Sequence, residues 1–231
     1  MVWGIMNPGI GEYGPSGEYT GWYESLNRYY EQMPPQEQAI YQTGQGNNDY
    51  NYYVSSKFNS VPGSRYRDKT FTPIEPHEVP PVFKSTKGYV SLGSLIMLRN
   101  GYWAVDEDLK AIIERLELGI HQFYHIPILM PREKTYPKPY YIVVIGQRID
   151  SFSPEDSEEG SYEVDGTRYN PYFLRNANIP KLALKRAIFG AAQVWKEANL
   201  GMPELFFSDM LYAEIKNAGL RLPRHYKMKE V

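Results

Sequence analysis

The chain has 231 residues, of which 42% are hydrophobic and 23% charged, with a formal net charge of −2. That is long enough for one substantial core, or for one domain with a smaller appendage. The near-neutral balance excludes the long-range positive field of a nucleic-acid binder, and the absence of cysteine excludes disulfides, thiolate metal sites and cysteine nucleophiles. The opening Met1-Val2-Trp3-Gly4-Ile5-Met6-Asn7-Pro8 has neither a basic stretch nor an apolar run of signal-peptide length. Apolar windows such as Ile142 to Ile145 are far too short to cross a bilayer. The expected location is cytoplasmic.

Tyrosine is over-represented, with 21 residues, and the first third of the chain is especially rich in it. Residues 1–81 are also rich in Gly, Pro, Asn and Ser, and their periodicity is weak. Tyr23 to Gln32 predicts a short helix with Leu26 and Tyr30 at helical spacing, stopped by Pro34-Pro35. A further helical turn follows through Gln36 to Tyr41. Gln45 to Asp49 has the chemistry of a turn, and Tyr50 to Phe58 predicts an edge strand. Four prolines make Phe71 to Val82 an extended, stiff connector.

The pattern then changes. Tyr89-Val90-Ser91-Leu92 predicts a strand and Asn100-Gly101 a tight turn. Val105 to Leu118 predicts the best helix of the chain, capped near Asp106 and ended by Gly119, with Leu109, Ile112, Ile113 and Leu116 on one face. His121 to Leu129 alternates as a strand does, and Tyr140 to Ile149 is the near-continuous apolar run of a buried central strand. Ser151 to Thr167 is a polar loop carrying Glu155, Asp156, Glu158, Glu159, Glu163 and Asp165 without a Lys or Arg. Asn176 to Asn199 reads either as helix, from its alanines, or as short strands at Leu182-Ala183-Leu184 and Gln193-Val194-Trp195 around Gly190. Leu205 to Phe207 predicts a strand, Ser208 an N-cap, and Leu211, Ile215 and Ala218 the buried stripe of a last helix. The order of elements predicts an α+β fold: a mixed or antiparallel sheet with a few flanking helices. A main domain spans 85–231, and a Tyr/Gly/Pro-rich region, 1–84, packs on it or stands apart.

Four motifs in this order carry a resemblance. They are the helix Leu109-Lys110-Ala111-Ile112-Ile113-Glu114 with its exit Gly119 to Ile128, and the tyrosine-led strand Tyr140-Tyr141-Ile142-Val143-Val144 running into Ile149-Asp150. They continue with the block Gln193-Val194-Trp195 and the ending Leu205-Phe206-Phe207-Ser208-Asp209-Met210-Leu211 through Ala218-Gly219-Leu220. Over residues 85 to 222 the chain resembles the Imm11-type immunity proteins. It departs from that pattern after Gly219, where Leu222-Pro223-Arg224-His225-Tyr226 replaces an expected phenylalanine-containing strand. The resemblance implies a small cytoplasmic protein that protects a bacterium from a cognate secreted toxin by binding it, with no catalytic residues to carry over.

Site chemistry read from the residues points the same way. On a strand, His121 and His125 would lie about 13 Å apart, too far to share a zinc ion. His77-Glu78 runs into Val79-Pro80-Pro81 and forms no metal-binding helix. Gly88 to Ser94 has half the spacing of a phosphate loop but no lysine, and no Gly-x-Ser-x-Gly elbow exists. Glu114 and Glu117 read as a solvated helix face. No metal or other cofactor is expected. Two surfaces have value for a protein partner: the acidic group Glu155, Asp156, Glu158 and Glu159, suited to the basic cleft of a nuclease toxin, and the aromatic group Trp22, Tyr23, Tyr29 and Tyr30. The reading is a non-enzymatic toxin inhibitor. The alternatives are a hydrolase whose carboxylates assemble only in three dimensions, and a module that binds another protein through its tyrosine-rich arm.

Overall fold

The computed structural model describes residues 1–42, 48–59, 73–166, 168–171 and 176–231. Part of the expected turn at 45–49, the start of the connector at 71–72 and Thr167 lie outside the described residues.

In chain order, β1 (Val2–Ile5) and β2 (Gly17–Tyr19) precede the helices α1 (Trp22–Gln32), α2 (Pro35–Gln38) and α3 (Tyr50–Asn59). Next, β3 (Phe83–Ser85), β4 (Leu95–Met97) and β5 (Trp103–Asp106) lead into α4 (Glu107–Leu116). Five strands follow: β6 (Gln122–His125), β7 (Ile128–Met130), β8 (Lys134–Thr135), β9 (Tyr140–Val144) and β10 (Arg148–Ile149). The chain continues through β11 (Phe152–Ser153), the pair β12 (Tyr162–Asp165) and β13 (Arg168–Pro171), and β14 (Ala183–Leu184). It ends with α5 (Arg186–Phe189), β15 (Val194–Glu197), β16 (Leu205–Ser208), α6 (Asp209–Asn217) and β17 (His225–Glu230).

The fold is α+β. A seven-stranded mixed sheet has the order β10-β15-β16-β1-β17-β14-β11. Within it β10 runs parallel to β15 and β14 parallel to β17, while the other neighbours are antiparallel. An antiparallel four-stranded sheet has the order β4-β5-β9-β6, and a mixed one the order β2-β3-β7-β8. Residues 1–84 contribute to more than one of these units: β1 lies inside the seven-stranded sheet, and β3 pairs with β7.

Side chains of β4, β5 and β9 alternate between two cores, as the two-residue period of a strand requires. Ile96, Ala104, Ile142 and Val144 enter an aromatic core shared with α1 and α3, whereas Leu95, Val105, Val143 and Ile145 enter a second core with α4 and α6. The same division runs through β16, where Leu205 and Phe207 join the second core and Phe206 joins a third with Trp195. Burial on both faces is what makes these strands near-continuously apolar.

Several elements differ from the sequence expectation. Tyr50–Asn59 is a helix, not an edge strand, because Tyr50, Tyr53, Val54 and Phe58 share one face at helical spacing and pack into the aromatic core; tertiary packing overrides the strand preference of tyrosine and valine. Tyr89 to Leu92 is a loop with Val90 fully exposed, and the strand begins three residues later, at Leu95. The helix expected from Val105 starts at Glu107, since Val105 and Asp106 belong to β5, and the Asp106 side chain caps it by accepting from the Leu109 N–H at 3.0 Å. The run Tyr140 to Ile149 is two strands, β9 and β10, that enter different sheets. Ser151 to Asp165 is not all loop, since it contains β11 and β12. Ala218 is exposed, so Leu211 and Ile215 alone form the buried stripe of α6. A final strand, β17, does form after Gly219 despite its lack of phenylalanine.

Glu117 is the largest departure. Expected on a solvated face, it is buried at the C-terminus of α4. Its carboxylate accepts from His121 Nε2 (2.7 Å), Gln147 Nε2 (2.6 Å), the Gln193 N–H (2.8 Å) and the Val194 N–H (3.0 Å). The Gly146 N–H donates to His121 Nδ1 at 3.2 Å, so the imidazole proton sits on Nε2 and points at Glu117. Helix α4 is thereby fastened to β15. Burial would raise the Glu117 carboxyl, but His121, Gln193 and Gln147 more than offset this and hold it below the usual carboxylate range. Glu117→Ala should lower the unfolding free energy by about 3–5 kcal/mol, since several buried donors lose their partner at once, as measured by urea unfolding. A depressed carboxyl stabilises the fold above its unfolded pKa, and that contribution is lost as pH falls through the folded value. The acid limb of the stability profile should therefore be shallower in Glu117→Gln.

Candidate functional site

The aromatic group of the N-terminal region is split by the helix that carries it. Gly21, at φ 73°, starts α1, and Trp22, Leu26 and Tyr30 recur every four residues on its buried face. Trp22 has no exposed surface and donates its indole N–H to the Glu78 carbonyl at 2.9 Å. Tyr30 is buried against Tyr50. Tyr23 is half-buried, and its hydroxyl accepts from Asn100 Nδ2 at 2.5 Å. Tyr29 alone of the four reaches solvent freely, at 40% exposure.

Ser25, Arg28, Tyr29 and Gln32 form the outward stripe of α1. Together with His77, Val79 and Pro81 of the connector they line a groove of about 520 Å³, against which the buried Trp22 packs. The Tyr29 ring stacks on the His77 imidazole with centroids 3.6 Å apart. Beneath it, the Tyr50 hydroxyl lies 2.7 Å from His77 Nε2 and donates to Glu78 Oε1 at 3.4 Å. Glu78 is itself buried and ion-paired to Lys57, whose Nζ lies 2.6 and 2.7 Å from the two carboxylate oxygens and 3.1 Å from the Pro73 carbonyl. Burial pushes the His77 imidazole below its usual pKa against the opposing pull of Glu78 and Glu75. The Tyr50 phenol is pushed far above its usual range, by burial first and the Glu78 charge second.

The Lys57–Glu78 pair is hidden from the sequence, because the edge-strand reading of Tyr50 to Phe58 does not turn Lys57 to the interior as helix α3 does. A local signal was present: Glu75-Pro76-His77-Glu78 has the form of a capping box, and the Glu75 N–H does donate to Glu78 Oε2 at 2.7 Å.

The acidic group lies on the surface beyond β11, with Glu155, Asp156, Glu158 and Glu159 all exposed. Cations from elsewhere in the chain reach part of it. Lys185 pairs with Glu155 and Lys181 with Glu158, the latter at 3.2 Å. The hydrogen bond from Lys185 holds the Glu155 carboxyl below its usual range. Asp156 accepts from Ser153 Oγ at 2.6 Å, and no described residue forms an ion pair with Glu159. Lys229 Nζ also donates to the Asp156 carbonyl at 2.9 Å, so that, of the four, Glu159 is left with the least compensated charge among the described residues.

The histidines do not converge. His121 is buried against Glu117, while His125, at the end of β6, is exposed. Among the described residues no group of three His, Cys, Asp or Glu side chains is placed to hold a metal ion, and no helix is long and apolar enough to cross a membrane.

With this geometry the comparison with known families is direct. The model of the immunity protein family Imm11 matches residues 30–230, and the chain belongs to that family. The match begins inside α1 and so extends well beyond the stretch whose motifs carried the resemblance. No curated protein matches the sequence.

The buried ion pair under the groove has a testable weight. Lys57→Met leaves the Glu78 carboxylate buried without its cation and should cost about 3–5 kcal/mol. Pairing it with Glu78→Leu, which removes the stranded charge, should recover most of that loss in the same denaturation measurement. A double variant as unstable as the single one would show that Lys57 acts through packing alone.

Proposed function

We propose that this chain binds a cognate bacterial toxin and neutralises it by covering the toxin's active site or substrate groove, without turnover and without a cofactor. The observation that carries this reading is the match to an immunity family over residues 30–230. In this reading the protein works in the cytoplasm of the cell it protects, and the toxin offers a basic surface such as the substrate cleft of a nuclease.

Two surfaces divide the work of binding. Glu155, Asp156, Glu158 and Glu159 steer the encounter, because exposed charges act mainly on the association rate and are screened by salt. Tyr29 supplies the anchor in the groove, with Tyr23 beside it; Trp22 and Tyr30 set the position of both from below. An interface of ordinary size, about 1,600 Å² in total, accommodates such a division.

Co-expression with the toxin encoded by the adjacent gene should restore growth, and the two proteins should co-elute in gel filtration. Failure of both would end the inhibitor reading. Within a complex that forms, Tyr29→Ala should weaken binding by about 2 kcal/mol or more, chiefly through faster dissociation. Replacing Glu155, Asp156, Glu158 and Glu159 together by lysine should slow association at least about tenfold at low salt, with the difference shrinking as salt rises. Unchanged affinity and unchanged salt dependence would remove the acidic edge from the interface.

A further inference from the structure

The turn between β7 and β8 and the loop after β3 together set exposed cations beside exposed apolar side chains. Tyr89, Val90, Met130, Pro131, Arg132 and Lys134 line an open hollow of about 410 Å³ there, and no carboxylate lines it among the described residues.

The backbone sorts the charges of the turn. Arg132 and Glu133 both take a positive φ, 64° and 56°, which residues with a side chain adopt only at a cost. Arg132 lines the hollow, whereas Glu133 pairs with Lys84 at 2.7 Å. Lys134 stands opposite Met130 in the β7–β8 register and so shares its face of the sheet. Backbone strain retained at an exposed turn points to a use for the side chain that the turn presents.

The neighbouring loop is fixed from two sides. The Ser16 N–H donates to the Tyr89 hydroxyl at 3.2 Å, and the Tyr89 N–H donates to Met130 Sδ at 3.3 Å. Val90 is thereby held fully exposed. Three residues earlier, the Lys87 carbonyl accepts from the Ser85 hydroxyl at 2.7 Å, and Lys138 stands on the loop after β8. Lys87, Arg132, Lys134 and Lys138 are all exposed, and none forms an ion pair among the described residues.

Composition decides between partners. Three of these four cations are lysines, which protein interfaces deplete. An anionic bilayer attracts lysine and arginine alike, and a cluster of about four is enough to be drawn to it. An apolar side chain that stands proud among cations, as Val90 does, also suits entry into a headgroup layer. We propose that this end of the molecule docks on an anionic lipid surface, with Val90 entering the interface and Lys87, Arg132, Lys134 and Lys138 meeting the headgroup phosphates. The site is independent of the toxin-binding reading and stands or falls without it.

The test is co-sedimentation of the full chain with vesicles of phosphatidylcholine containing phosphatidylglycerol, and with vesicles of phosphatidylcholine alone. At low salt, binding to the anionic vesicles should be at least about tenfold stronger than to the neutral ones. It should be lost near roughly 1 M salt, where the Debye length is about 3 Å. Lys87→Glu combined with Lys134→Glu should weaken it at least about tenfold, and Val90→Ser, which changes no charge, at least about threefold. Lys216→Glu combined with Lys227→Glu makes the same change in net charge on α6 and β17, and should leave binding within about twofold. All the substituted positions are exposed, so the fold is not at stake. Equal binding to neutral vesicles, an equal loss in the control pair, or an unchanged Lys87→Glu/Lys134→Glu variant would overturn the proposal. Binding to soluble polyglutamate as strong, per charge, as to the vesicles would overturn it too, by assigning the surface to an acidic protein segment.

Discussion

The sheet β4-β5-β9-β6 is covered on both faces, and this condition propagates through the molecule. Every residue of β5 is buried, and β9 carries Ile142 and Val144 to one side and Val143 to the other. A strand buried on both sides cannot stand with only one covering layer, because half of its side chains would then face water. Helices α4 and α6 cover one face. The other is covered by α1 and α3, whose sequence is rich in tyrosine. The tyrosine excess is therefore largely a packing device: Tyr19, Tyr30, Tyr50, Tyr53, Tyr102, Tyr136 and Tyr140 all lie in that core. Their hydroxyls are a liability in an apolar layer, and three of them find main-chain partners, whereas Tyr50 meets the side chains of His77 and Glu78 and the Tyr102 hydroxyl is buried with no hydrogen-bond partner among the described residues. Tyr140 donates to the Gly93 carbonyl at 2.7 Å, Tyr19 to the Arg99 carbonyl at 3.0 Å, and Tyr136 accepts from the Leu92 N–H at 2.8 Å.

That division explains what was legible in the sequence. The cap at Ser208 and the strands at Leu205 and Tyr140 follow from local rules, and all are present; α4 ends at Leu116, two residues before the expected Leu118, and Gly119 takes a positive φ in the turn that follows. The Asn100-Gly101 turn has both residues at positive φ, 65° and 74°, as its sequence implies. The failures are of another kind. Tyr50–Asn59 has no strong local preference, and its helical state is decided by the layer it covers. Glu117 lies three residues from a solvated Glu114 that pairs with Lys110, so spacing alone could not separate their fates. Only the arrival of Gln147, Gln193 and Val194 from later in the chain makes position 117 a place for a carboxylate.

The candidate surfaces were legible to an unequal degree. The acidic stretch is exposed as its composition implies, but counting charge along the chain overstates its field. Lys181 and Lys185 lie outside the acidic stretch yet fold back onto Glu155 and Glu158. Exposed pairs of this kind contribute little to stability, but they must be broken or shared before a basic partner can use the same carboxylates. The aromatic cluster shows the converse: its most hydrophobic member, Trp22, is spent on the core, and its least buried, Tyr29, is left exposed.

How Tyr29 is held bears on the binding role proposed for it. Its ring rests on His77, which is hydrogen-bonded to Tyr50, which in turn meets the Lys57–Glu78 pair in the interior. A side chain supported this way has little freedom to lose on association, and ordering cost is one of the main terms that separates weak from tight interfaces of equal area. Buried ion pairs are poor sources of stability compared with apolar packing, so retaining one beneath an exposed aromatic is more economically explained by positioning than by stability. A rigid surface set by buried polar contacts suits steric occlusion, where the inhibitor keeps its shape and the fit resides in the surface it presents.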